Sequence, residues 1–317
     1  MKEFDLIARL TRSLPTNETV VTGAGDDCAV LDLGLPDKLV LFKTDAIVEG
    51  VHFTRETPPE KIGRKALARC LSEIAAMAGS PTAALITIAL PEKQDPEFVA
   101  RIYDGLNALA AYWSVAIVGG ETTTNPGRIL ISVALLGWVR RDKQVLRSGA
   151  KVGDAIFVTG ELGGSLAGKH LDFEPRLAEA QWLADRWPIH ALIDLSDGLA
   201  GDLRHITNAS KVGAEILKSA LPVSRAALLQ ARAAASAKPP ALAALTDGED
   251  FELLFTVSRQ QAVPLLDAWK KNFPQLNLSC IGKIIADPGV WLRDQTGCHQ
   301  LNAGGYEHFQ GPHANGS

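Results

Sequence analysis

Four acidic motifs in the 317-residue chain stand beside glycines or turn residues: Asp26-Asp27, Thr44-Asp45, Gly120-Glu121 and Asp194-Leu195-Ser196-Asp197-Gly198. A fifth acid, Glu73, lies in the apolar run Leu71-Ser72-Glu73-Ile74-Ala75-Ala76-Met77, where an unpaired carboxylate is costly to bury. Oxygen ligands of this kind suit a hard cation such as Mg²⁺, and several together suit a site that holds a nucleoside triphosphate. Each motif taken singly has a second reading. An isolated aspartate beside a glycine caps a turn, and Ser196 or Asp197 makes a sound N-cap for a helix starting at Gly198. Capping and metal binding do not exclude each other, so both readings stay open.

A near-match to a phosphate loop competes with this reading. Gly163-Gly164-Ser165-Leu166-Ala167-Gly168-Lys169-His170 follows a β-rich run and fits G-x-x-x-x-G-K, but His170 stands where a Walker loop needs Ser or Thr for Mg²⁺. Pro175 also limits the helix that should follow. A Walker loop is therefore not expected. His52 reads as a general base, a phosphate contact or a structural residue, and Tyr306 as a stacking platform or a tail anchor. No Ser/His/Asp or Cys/His nucleophile set stands out.

The elements that must position these residues follow from local pattern. Two β-rich runs, Gly25–Asp32 and Lys38–Asp45, flank the turn composition Gly34-Leu35-Pro36-Asp37. Paired as a hairpin, they put Asp27, just before the first strand, beside Asp45, just after the second. Two carboxylates brought together repel unless a cation sits between them. Gly50 and mixed polarity over residues 46–53 read as a loop leaving the sheet. Pro58 and Pro59 then open a helix over about 60–78 that carries Glu73. Strands are expected over 82–90, 115–118, 128–139, 155–159, 278–284 and 290–293. Helices are expected over 4–14, 96–112, 176–187 and 259–271, with helical segments in the Ala-rich 225–244.

Composition narrows the class. Apolar content of 46% and a net charge of −4 describe an ordinary globular chain with no basic footprint for nucleic acid. The four cysteines have no paired spacing, which fits a reducing cytoplasm and not a disulfide or zinc framework. No run is long and apolar enough to span a bilayer, and no signal sequence opens the chain. The pattern breaks into a polar, Gly-bearing link at Arg147–Asp154, so two domains are expected, 1–148 and 149–317.

The ordered set of motifs resembles the thiamine-monophosphate kinase family. It comprises Gly25-Asp26-Asp27, Thr44-Asp45 with Gly50-Val51-His52-Phe53, Ser72-Glu73-Ile74-Ala75-Ala76-Met77, Gly119-Gly120-Glu121-Thr122-Thr123 and Arg147-Ser148-Gly149-Ala150. Asp194-Leu195-Ser196-Asp197-Gly198, Gly248-Glu249-Asp250-Phe251-Glu252-Leu253 and Gly305-Tyr306-Glu307-His308-Phe309 complete it. The wider superfamily includes aminoimidazole ribonucleotide synthetase, selenophosphate synthetase and a hydrogenase-maturation protein.

The resemblance implies a mixed α/β, two-domain fold of the aminoimidazole ribonucleotide synthetase type, in a homodimer whose N-terminal sheets join as a barrel. It implies transfer of the γ-phosphoryl group of ATP to thiamine monophosphate, with several Mg²⁺ ions. The metal ligands would be Asp27, Thr44, Asp45, Glu73, Glu121, Asp194 and Asp197; nucleotide contacts would be Gly120, Arg147 and Ser196. His52, Glu249 and Tyr306 would meet the thiamine substrate. The nucleophile is a phosphate oxygen already ionised at neutral pH, so no general base is assigned. The chain departs from the family pattern at Glu73 and Glu121, where Asp is usual, at Lys43, where Ser is usual, and in a shortened 163–176 segment. Another ATP-using member of the superfamily, or a nucleotide-binding regulator with weakened catalysis, is the alternative.

Overall fold

Alternating burial over an eleven-residue strand sets the frame of the N-terminal half. The structure is a computed structural model that describes residues 3–233 and 237–301. Helix α1 (Glu3–Thr11) precedes strands β1 (Val20–Thr22), β2 (Ala29–Leu31) and β3 (Lys38–Val48). Then come α2 (Pro59–Ala76), β4 (Ser80–Leu90), α3 (Pro96–Tyr112), β5 (Ala116–Thr124) and β6 (Leu130–Arg140). The six strands form one mixed sheet in the order β1-β2-β3-β6-β4-β5.

The hairpin forms, with one difference from expectation. β2 and β3 pair antiparallel, Ala29 with Phe42 and Leu31 with Val40. Asp45, however, lies inside β3 and not beyond its end. The strand continues to Val48 because β6 gives it a partner for its whole length, from Lys38↔Arg140 to Val48↔Leu130. Carried two residues further, the β2–β3 register sets Thr44, not Asp45, across from Asp27. Asp45 and Lys43 point to the face covered by α2, while Phe42 and Thr44 point away from it.

Helix α2 begins as its two prolines require, with Pro59 at a first-turn position where no amide hydrogen is needed. Its buried face packs on Val133, Leu135 and Ile86 of the sheet. Helix α3 lies against it so closely that a Cβ at Gly63 would fall 1.8 Å from Ile102 O, and one at Gly105 1.8 Å from Glu60 O. The other face of the sheet is bare: Phe42, Leu85, Val118 and Leu136 are all exposed.

The C-terminal half builds a second sheet. Strand β7 (Asp154–Thr159) is followed by α4 (Lys169–Asp172), α5 (Leu177–Arg186), β8 (Ile189–Asp194), α6 (Leu199–Ser210) and β9 (Gly213–Leu217). Helices α7 (Arg225–Ala233) and α8 (Pro240–Thr246) lead to β10 (Leu253–Ser258), α9 (Ala262–Asn272), β11 (Leu278–Ile285), β12 (Gly289–Asp294) and β13 (Gly297–Gln300). The order is β13-β12-β9-β11-β7-β10-β8, with β12 and β9 parallel and the other pairs antiparallel. One buried cluster joins the halves, running from Leu71 and Val133 to Phe157, Leu183 and Trp269. Gln181 of α5 donates to Gly79 O at 2.7 Å and to Ser80 Oγ at 3.0 Å, which pins α5 to the end of α2.

Candidate active site

Three elements deliver three acids to one point. Asp27 precedes β2, Glu73 sits near the end of α2, and Asp194 closes β8. One ligating oxygen from each lies within 4.8 Å of the others. Asp27 and Asp194 are almost wholly buried, and Asp27 Oδ2 and Glu73 Oε2 have no hydrogen-bond partner. Burial, and then the neighbouring carboxylates against the pull of Arg147, raise Asp27 to about 6. Burial also raises Glu73 to about 7, opposed chiefly by Lys43. For Asp194 burial and the Glu73 charge together give about 7. Carboxylates this crowded and this dry, with orphaned oxygens, fit a divalent cation among them.

Cationic side chains flank the acids. Arg147 Nη2 donates to Asp27 Oδ1 at 2.6 Å, and its backbone amide donates to Asp26. Lys43 Nζ is 2.6 Å from Glu73 Oε1, and the Ser72 hydroxyl donates to Asp194 Oδ2 at 2.5 Å. Asp45 is held by Arg69, whose Nε donates at 2.8 Å to Oδ2. Burial works against the Asp45 charge, but Arg69 keeps its pKa below the usual value.

A pocket opens beside this centre, lined by His52, Arg69, Leu166, Ser196, Asp197 and Glu249. Glu249 sits in the left-handed region at φ +62°, and Phe251 at +49°. Backbone bonds from Glu249 N to Ser196 O and from Phe251 N to Leu195 O, both 2.7 Å, lace that loop to the one after β8. The Glu249 carboxylate meets Lys65 Nζ at 2.7 Å, Arg69 Nη1 at 3.0 Å and His170 Nδ1 at 3.1 Å. Against its burial, these partners hold it at about 2. Burial first, then the Arg69 charge, lowers His52 to about 4, so its ring is neutral at pH 7 and Nδ1 accepts from Val48 N at 3.0 Å.

The remaining expected residues fall in three places. Asp197 gathers with Asp202 and His205 in a second group of possible ligands, and its amide donates to Asp202 Oδ2. Thr44 lies on the bare face of the sheet, its hydroxyl 3.4 Å from Ser132 Oγ. Gly120 and Glu121 lie on the exposed edge strand β5, three strands away from β3. Register aligns Glu121 with Thr87, Ser132 and Ala46, on the same bare face as Thr44. Tyr306 lies outside the described residues.

The glycine loop at 163–169 is committed to its own chain. Gly163 N donates to both oxygens of Asp250, Gly164 N to Asp247 Oδ2, and Lys169 Nζ to Glu252 Oε1 at 2.8 Å. Amides and a lysine so engaged make no phosphate cradle. Sequence reasoning did not pick out Lys65, Arg69 or the placement of His170. A signal for the first two existed: Lys65, Arg69 and Glu73 are spaced i, i+4, i+8, one charged stripe among the apolar residues of the helix.

Fold and site together define the class: residues 25–139 match the model described as AIR synthase related protein, N-terminal domain. The thiamine-monophosphate kinase of Rhodopirellula baltica is 40% identical over 293 residues, covering 90% of this chain and 89% of its own. That of Salmonella typhimurium is 36% identical, covering 98% and 99%. The solved structure of AaThiL complexed with AMPPCP and TMP has a TM-score of 0.80 at 30% identity and covers 96% of each chain. The chain belongs to the thiamine-monophosphate kinase family.

Proposed function

We propose that this chain transfers the γ-phosphoryl group of ATP to thiamine monophosphate, giving thiamine diphosphate and ADP. The observation that carries the reading is the Asp27–Glu73–Asp194 cluster with its orphaned oxygens, near a pocket that sets Arg69 beside Ser196, Asp197 and Glu249, in a chain of this family. Mg²⁺ held by these three carboxylates would supply the positive charge that screens two anionic substrates from each other.

The chain's own groups supply the rest. Arg147 is placed to bind the polyphosphate, and its hold on Asp27 fixes the guanidinium in advance. Ser196, Asp197, Arg69 and His52 share one pocket, where Ser196 would meet the nucleotide and His52 the acceptor. Lys65 and His170 orient Glu249 for the thiamine group. A phosphate-oxygen nucleophile is ionised before it binds, so attack is direct and in line, with no general base and no phosphoenzyme.

Thr44, Gly120 and Glu121 enter this scheme through a second copy of the chain. The bare apolar face and the unpaired edge of β5 support a homodimer in which the two N-terminal sheets close into a barrel. We take 1–148 and 149–317 as its two domains. The use of ATP suits the cytoplasm.

A coupled assay for ADP release with thiamine monophosphate as acceptor tests the reading. Transfer in the wild type, abolished in Asp27→Asn and Asp194→Asn with the melting temperature unchanged or higher, is the expected result. Neutralising either acid relieves repulsion in the metal-free fold. Absence of acceptor-dependent ADP release, or full activity in both variants, overturns it.

A further inference from the structure

Glu73 divides its carboxylate: Oε1 is taken by the Lys43 ammonium at 2.6 Å, and Oε2 is buried without a partner. Asp27, fully buried at its side chain, does the same, with Oδ1 on Arg147 at 2.6 Å and Oδ2 alone. Asp27, Glu73 and Asp194 each bring one carboxylate oxygen within 4.8 Å of the others, and with an unpartnered oxygen on two of the three side chains they make a donor set for a hard cation. An ammonium at contact distance already occupies Oε1 of Glu73. A second divalent ion there would face that positive charge at close range in a poorly solvated site.

Charge balance leads to the same result. With Asp26 beside Asp27, four carboxylates against Lys43 and Arg147 leave two uncompensated negative charges. One divalent ion brings that to neutrality before the polyphosphate arrives; a second raises it to +2 beside Asp27 and Asp194, which are almost wholly removed from water. We propose that Lys43 is a resident cation that replaces a divalent ion on the Oε1 side of Glu73, so that this centre takes one such ion. Glu73 suits the arrangement, since its added methylene lets one carboxylate reach an ammonium on β3 and an ion beside Asp27. The inference rests on reading the centre as the metal site.

Mn²⁺ binding to the full chain, followed by electron paramagnetic resonance of the free ion without nucleotide, tests it. Lys43→Met, which removes the charge and keeps the length of the side chain, should bind one Mn²⁺ more per chain than the wild type. Lys43→Ser is a second neutral variant should Lys43→Met melt early, and Lys43→Arg should match the wild type. Asp27→Asn should bind one fewer. Equal counts in wild type, Lys43→Met and Lys43→Ser, with Asp27→Asn still lower, overturn the role of Lys43 and leave the metal site standing. An Asp27→Asn count equal to that of the wild type overturns the metal site itself.

Discussion

His52 shows how much of the pocket is set by protonation state. Its ring accepts from the Val48 amide through Nδ1, and burial beside Arg69 lowers its pKa from 6.5 to about 4. The fold favours the neutral ring more than the open chain does. Its contribution to stability is therefore complete above pH 6.5 and is lost as pH falls through about 4. In His52→Gln, which keeps an acceptor for Val48 N, the decline of melting temperature between those limits should be shallower than in the wild type. Parallel decline in the two proteins would remove His52 from the account. Lys169 gives a second contrast at this scale. Its ammonium is spent on the buried Glu252, which also takes both Nε and Nη2 of Arg176. Lys169→Ala should cost far less turnover than Asp45→Asn in a side-by-side steady-state assay, and equal losses would reopen the phosphate-loop reading.

Helix α2 is the element on which the site depends most, because it carries Lys65, Arg69, Ser72 and Glu73 toward the partners named above. Its position is fixed by backbone contact with α3 through Gly63 and Gly105. A methyl group at Gly105 would meet the Glu60 carbonyl and has nowhere to turn. Gly105→Ala should cost about 1–3 kcal/mol through overpacking, read as a lower melting temperature, and should lower kcat as α2 shifts. Unchanged melting would show that the helices can separate cheaply. Elements of this length were legible from pattern alone: α3 runs from Pro96 to Tyr112 as its periodicity predicts, and α2 begins and ends within two residues of expectation. Short strands were legible in part: β2, β7 and β12 were expected, β1 and β9 were not. β9 has five residues and β1 three, too few for alternation to register, and their strand character comes from partners far along the chain. The end of β3 was expected before Asp45 and lies at Val48, because β6, which prolongs β3, is invisible in a hairpin argument. The Asp45 carboxylate's partner Arg69 was missed likewise, since its place in the Lys65, Arg69, Glu73 spacing shows a shared face but names no partner until α2 is laid on the sheet.

At the scale of the whole molecule, one sheet face remains to be covered. Phe42, Leu85, Leu136 and Val118 expose apolar surface on the side that also bears Thr44 and Glu121. Leu85→Asp should shift the chain from dimer to monomer in sedimentation and reduce turnover, while the buried face behind it keeps each copy folded. A wild type that sediments as a monomer would overturn the homodimer. The cluster that runs unbroken from α2 through Phe157 to Trp269 has a different consequence. Two sheets in separate stretches of sequence would ordinarily be free to open one at a time. Here α2 packs on its own sheet, on β8 of the other and on α5, so neither half can lose its structure without exposing the apolar face that they share. Both should unfold as one cooperative unit, and during synthesis the acidic centre cannot assemble on the ribosome until β8, with Asp194 at its end, has emerged.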